Sequence, residues 1–67
     1  MTAGTGRPSL ELLTTREAAK LLRVPESTMR YWRQIRYGPR HAKVGRRVLY
    51  SRDDLERWWE RQRAVAS

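Results

Sequence analysis

Pro25 is the residue that most constrains this chain, because it divides the N-terminal half into two helical patterns that cannot be one helix. A proline stops a helix and restricts its predecessor, here Val24, yet it is welcome where a helix starts. Upstream, Thr14-Thr15-Arg16-Glu17 reads as a capping box: the Thr14 hydroxyl serves the Glu17 N–H, and Glu17 reaches back. The helix it opens runs to about Leu22. Ala18, Leu21 and Leu22 form its apolar face, and Ala19 is small enough for a second helix to approach. That second helix begins near Pro25 or Glu26 and runs to about Ile35. Met29, Trp32 and Ile35 or Arg36 take its buried side, while Ser27, Arg30, Tyr31 and Gln34 recur at i, i+3, i+4, i+7 on the other. Two short helices joined by three or four residues make a helix-turn-helix.

The rest of the chain supplies what packs against this pair. Tyr37-Gly38-Pro39 turns the chain, and His41 to Tyr50 alternates around Gly45 as a β-hairpin. A two-residue Gly45-Arg46 loop pairs Val44 with Arg47. A three-residue loop, Gly45 to Arg47, pairs Val44 with Val48 and Ala42 with Tyr50, which gathers four apolar residues on one face and is the expected register. Ser51-Arg52-Asp53-Asp54 opens a third helix with a cap and first-turn acids, running to roughly Arg63. Leu55, Trp58, Trp59 and Gln62 share its face, so both Trp are expected in the core with Trp32, rather than as platforms for stacked bases. Leu12-Leu13-Thr14 reads as a short strand, and residues 1–9 read as a disordered tail. The expected architecture is mostly α with a small β-hairpin: a winged helix-turn-helix of three helices plus a two-stranded wing over residues 10–67.

At 67 residues the chain buries only about 60% of its unfolded surface and carries no deep cleft. It has no Cys and a single His, so no disulfide scaffold, metal site or catalytic cluster is expected, and the chain reads as a non-enzyme without cofactors. Asp53, Asp54, Glu56 and Glu60 are explained by capping and solvation. The absence of long apolar runs excludes a membrane span, and a cytoplasmic, nucleoid-associated location is expected.

Charge then points to the partner. Fifteen basic residues face seven acidic ones, a net +8. Residues 51–67 balance, and residues 1–22 carry only +1. Residues 23–50 hold eight basic residues against Glu26 alone, a net +7. A solubilising surface spreads its charge; a face meant for a polyanion concentrates it. Double-stranded DNA is therefore the expected partner. Ser27, Thr28, Arg30, Tyr31 and Gln34 face the major groove, where Arg forks onto guanine and Gln onto adenine, while Tyr31 and Arg33 touch phosphates. Lys43, Gly45, Arg46 and Arg47 form a wing that enters the minor groove or clamps phosphates beside it. Thr15, Arg16, Arg23, Arg36, Arg40, His41 and Arg52 are the further phosphate contacts expected around them. The plainer readings, a solvated Arg-rich helix face and a charged soluble turn, leave the clustering unexplained.

Several ordered motifs carry a family resemblance: Leu13-Thr14-Thr15-Arg16-Glu17-Ala18-Ala19, Leu22-Arg23-Val24-Pro25, Ser27-Thr28-Met29-Arg30-Tyr31-Trp32-Arg33, Gly38-Pro39, Val44-Gly45-Arg46-Arg47-Val48-Leu49-Tyr50 and Asp53-Asp54-Leu55-Glu56-Arg57-Trp58. Over about residues 12–60 the chain resembles the small winged helix-turn-helix proteins of the excisionase family, recombination directionality factors related in fold to MerR-type DNA-binding domains. The resemblance implies a protein of a prophage or integrative element that binds beside an attachment site, as adjacent copies of itself, bends the DNA and helps a cognate integrase or recombinase excise. Brevity favours this role, with no room for a small-molecule sensing domain or a dimerisation coiled coil. A small MerR-like transcriptional regulator is the alternative. A protein-interaction module using the Trp-rich surface is a third reading, and it predicts binding insensitive to competitor DNA. Two positions depart from the family pattern: Arg23 stands where Gly is common, at about 1 kcal/mol if its φ is positive, and Pro25 stands where Ser or Thr is common.

Overall fold

A computed structural model describes residues 11–66; the expected tail, residues 1–9, lies outside them. The elements in chain order are β1 (Leu12–Thr14), α1 (Thr15–Leu22), α2 (Glu26–Gln34), β2 (Ala42–Val44), β3 (Arg47–Ser51) and α3 (Arg52–Ala66). This is the winged helix-turn-helix expected, three helices with an antiparallel hairpin. β1 adds a third strand, giving the sheet order β1-β3-β2.

Local chemistry sets most of the boundaries. Thr14 caps α1 in a complete capping box, with Thr14 N–H donating to Glu17 Oε1 at 2.9 Å and Glu17 N–H to Thr14 Oγ1 at 3.2 Å. Ser51 Oγ accepts from Asp54 N–H at 3.0 Å and opens α3, which runs three residues beyond the expected Arg63. α2 starts behind Pro25 with no side-chain cap. A left-handed arginine follows each helix of the pair, Arg23 at the C-cap of α1 with φ 62 and Arg36 just past the C-cap of α2 with φ 58. At each, the following amide closes back on the helix: Val24 N–H on the Ala19 carbonyl at 3.0 Å, and Tyr37 N–H on the Trp32 carbonyl at 2.8 Å. This is the geometry in which glycine is the common choice.

The core is Ala18 and Ala19 of α1, Met29 of α2, Tyr50 of β3 and Leu55 of α3, with Leu13, Leu22, Val24, Trp32 and Val48 packed around it. Trp58 closes one end against Trp32 and Tyr37, at ring distances of 5.2 Å and 6.0 Å. Gly38 turns beneath this cluster at φ +92, and a Cβ there would sit 3.1 Å from the Trp32 ring.

Three expectations are corrected. The hairpin turns on two residues, Gly45 and Arg46, pairing Val44 with Arg47, Lys43 with Val48 and Ala42 with Leu49. Gly45 carries the positive φ that such a tight turn needs at its first central position. Ala42 and Val44 therefore lie on the outer face with Leu49. There β1 contributes Leu12, so apolar company exists on the side that the hairpin alone would leave to water. Trp59 is half exposed rather than buried. Leu55, Trp58 and Gln62 hold the inward stripe of α3, and Trp59 is turned about 100° from Trp58. Ile35 is also half exposed, because α2 ends at Gln34 and the chain leaves helical geometry at Ile35.

Candidate nucleic-acid interface

α2 offers the surface on which the interface is built. Ser27, Arg30, Tyr31 and Gln34 are exposed on one side, Met29 is buried on the other, and Thr28, Trp32 and Arg33 lie between. The helix is held from below by Arg33, whose NH1 donates to Thr15 Oγ1 and to Tyr50 Oη, both at 3.0 Å. These two bonds tie α2 to the start of α1 and to β3. Thr15 and Arg33 thus have structural partners within the domain.

Each end of α2 borders an open basic hollow. At the N-terminal end, Thr14, Thr15, Arg16, Glu26, Arg47 and Val48 line a hollow of about 330 Å³. The first turns of α1 and α2 and the start of β3 meet there. At the C-terminal end, Arg33, Arg36, Arg40 and His41 line one of about 490 Å³, with Tyr37, Gly38 and Pro39. Among the described residues no acid lines that second hollow. Lys43 and Arg46 are exposed on the wing beside the first. No ion pair holds Arg16, Arg36, Arg40, Lys43, Arg46 or Arg47 among the described residues, whereas Arg30, Arg52, Arg57 and Arg63 all have acidic partners.

Two of the expected contact residues lie apart from these hollows. Arg52 pairs with Glu11 at 3.6 Å and Glu56 at 3.2 Å, tying the start of β1 to the first turn of α3. Arg23 lies with Leu21, Leu22, Leu55, Glu56 and Trp59 along the α1–α3 side. Glu26 is the residue that sequence reasoning passed over. It sits at the head of α2 and holds Arg30 NH2 at 2.8 Å; its being the lone acid of residues 23–50 was the available signal.

Arg36 separates binding from stability. Its left-handed backbone costs an L-residue about 1 kcal/mol. Arg36→Gly is expected to raise the melting temperature by about 4–8 °C. The same change removes a guanidinium from the acid-free hollow, and it is expected to flatten the dependence of duplex affinity on salt by about 0.9 in logarithmic slope. Thermal unfolding and salt titration of the one variant check both halves.

An exposed amphipathic helix seated on a second helix, with a basic wing beside it, defines the class of winged helix-turn-helix DNA-binding proteins. The chain belongs to the helix-turn-helix domain family, whose family model matches residues 12–63. No curated protein and no solved structure gives a match to this chain. Among the described residues no cluster of three or more metal-ligating side chains occurs, and no helix is long and apolar enough to cross a membrane.

Proposed function

We propose that residues 10–67 form a sequence-specific duplex-DNA-binding domain acting as an excisionase. In this reading it binds cooperatively as adjacent copies near an attachment site, bends the DNA and promotes excision by a cognate integrase. The observation that carries the DNA-binding part is the ring of unpaired cations, Arg16, Arg36, Arg40, Lys43, Arg46 and Arg47, around both ends of one exposed helix. The excisionase-like motifs support the recombination role. Ser27, Thr28, Arg30, Tyr31 and Gln34 face the major groove, with Tyr31 on phosphates; Arg46 and Arg47 meet the minor groove or its flanking phosphates. One short helix and one wing read only a short site, so useful occupancy comes from neighbouring copies or from the recombinase. Guanidinium groups on a wing suit that arrangement, since the narrowed minor groove of bent DNA attracts them.

The reading and wing faces are expected to respond differently to truncation. Arg30→Ala or Gln34→Ala lowers specific binding more than non-specific binding, by about 1–3 kcal/mol for a lost base contact. Arg46→Ala combined with Arg47→Ala weakens both. Binding of each variant to a selected and a random duplex measures the contrast, and equal losses everywhere would show that α2 reads no bases. For the biological role, circular-permutation gel shifts should show bending that grows with copy number. Recombination by the neighbouring integrase should gain excision and lose integration when the protein is added. Unchanged recombination with a responding promoter nearby would instead make it a transcriptional regulator.

A further inference from the structure

Residues 23–50 contain eight cations and a single carboxylate, Glu26, and that carboxylate sits at the first position of α2 among Thr14, Thr15, Arg16 and Arg47. Facing a phosphate backbone, a carboxylate there repels every duplex alike, so it lowers general affinity. Its main contact inside the domain is the 2.8 Å bond to Arg30, one helical turn on, with both side chains substantially exposed. An exposed pair of this kind adds little to stability. A first-turn acid also suits the helix dipole, and α2 has no side-chain cap. That benefit is available from an acid at several positions of the turn and does not require the one that touches Arg30.

We propose that Glu26 is a specificity-determining residue of the DNA interface, reading cytosine while it orients Arg30 for guanine. In the major groove a carboxylate accepts from the cytosine N4 amino group, and Arg forks onto guanine O6 and N7. Held one turn apart on the exposed side of α2, the two side chains form a donor–acceptor pair. The guanidinium is set before binding, which reduces the ordering needed at the groove. A thymine in place of that cytosine presents O4, an acceptor, to the carboxylate, and the like polarity rejects it. Glu26 therefore trades affinity for discrimination, through repulsion of wrong sites as much as attraction to right ones.

This inference rests on α2 being the groove-facing helix, and the test separates the two. The full chain is used to select duplexes from a randomised pool, alongside Glu26→Gln and Glu26→Asp, with thermal unfolding as the control for folding. The wild-type selection should contain a cytosine preference near a guanine. Glu26→Gln should lose that preference about tenfold and shift it towards adenine, the base a glutamine reads, while binding a random duplex about threefold more tightly. Glu26→Asp keeps the charge but falls short of Arg30, so it should lose the preference without gaining random affinity. A wild-type chain that selects no sequence overturns the groove-facing reading and this inference together. A wild-type motif returned unchanged by both variants, or affinity altered equally on all duplexes, overturns the role of Glu26 alone and leaves it a helix-start residue.

Discussion

Raising monovalent salt from about 50 to 200 mM is expected to weaken duplex binding by roughly 500-fold, a slope near −4.5 in log K against log salt, if one copy engages about five phosphates. Five contacts lie within the reach of six cations near α2 that have no acidic partner among the described residues. Arg30, Arg52, Arg57 and Arg63 are left out, because their charge is already met by Glu26, Glu11 and Glu56, Asp53 and Glu60. Arg33 is left out because its NH1 is bonded to Thr15 and Tyr50. What remains around α2 is Arg16, Arg36 and Arg40, with Lys43, Arg46 and Arg47 of the wing. Fluorescence anisotropy on a random duplex across a salt series reads the slope directly. A slope near zero would mean that the net +7 of residues 23–50 serves solubility, and the DNA-binding reading of both hollows would fall with it.

Local signals were legible in the sequence where a short-range rule decides the outcome. The capping box at Thr14 and Glu17, the stop at Pro25 and the cap at Ser51 all operate within a few residues, and each element starts where those residues put it. The exposed side of α2 followed from the 3.6-residue period alone. Longer-range competition was less legible. The hairpin register was argued from two strands, in which four apolar residues on one face is the better burial. The third strand changed that count by placing Leu12 on the same face as Leu49. Trp58 and Trp59 are adjacent and equally apolar. Only the position of the Trp32–Tyr37 cluster decides which of them is enclosed. Arg33 shows the limit most clearly at the interface. Its spacing and charge read as a phosphate contact, but nothing local announces the two hydroxyls that hold its NH1, which lie 18 and 17 residues away in sequence.

The aromatic cluster gives the other large expected effect. Trp58→Ala is expected to cost about 3–5 kcal/mol, on the order of everything a single core of this size supplies. Trp58 is 9% exposed and touches both Trp32 of α2 and Tyr37 of the following turn. Its loss opens a cavity at the junction of α2, α3 and the turn. Trp59 is 50% exposed and buries far less apolar surface, so Trp59→Ala should cost no more than about half as much. The pair of variants tests the placement directly, because composition and helix propensity change identically in both. The consequence reaches the interface through Gly38, which packs against Trp32 and leads into Pro39 and Arg40. Trp58→Phe keeps a ring in the site and is expected to leave the domain folded but lower melting. It should weaken duplex binding by loosening the Arg36–Arg40 segment, while the effect of the Arg46→Ala and Arg47→Ala pair stays the same. Circular dichroism melts and duplex titrations of the three Trp variants decide it. Equal destabilisation by Trp58→Ala and Trp59→Ala would place both rings in the core and remove Trp58 as the particular support of the turn.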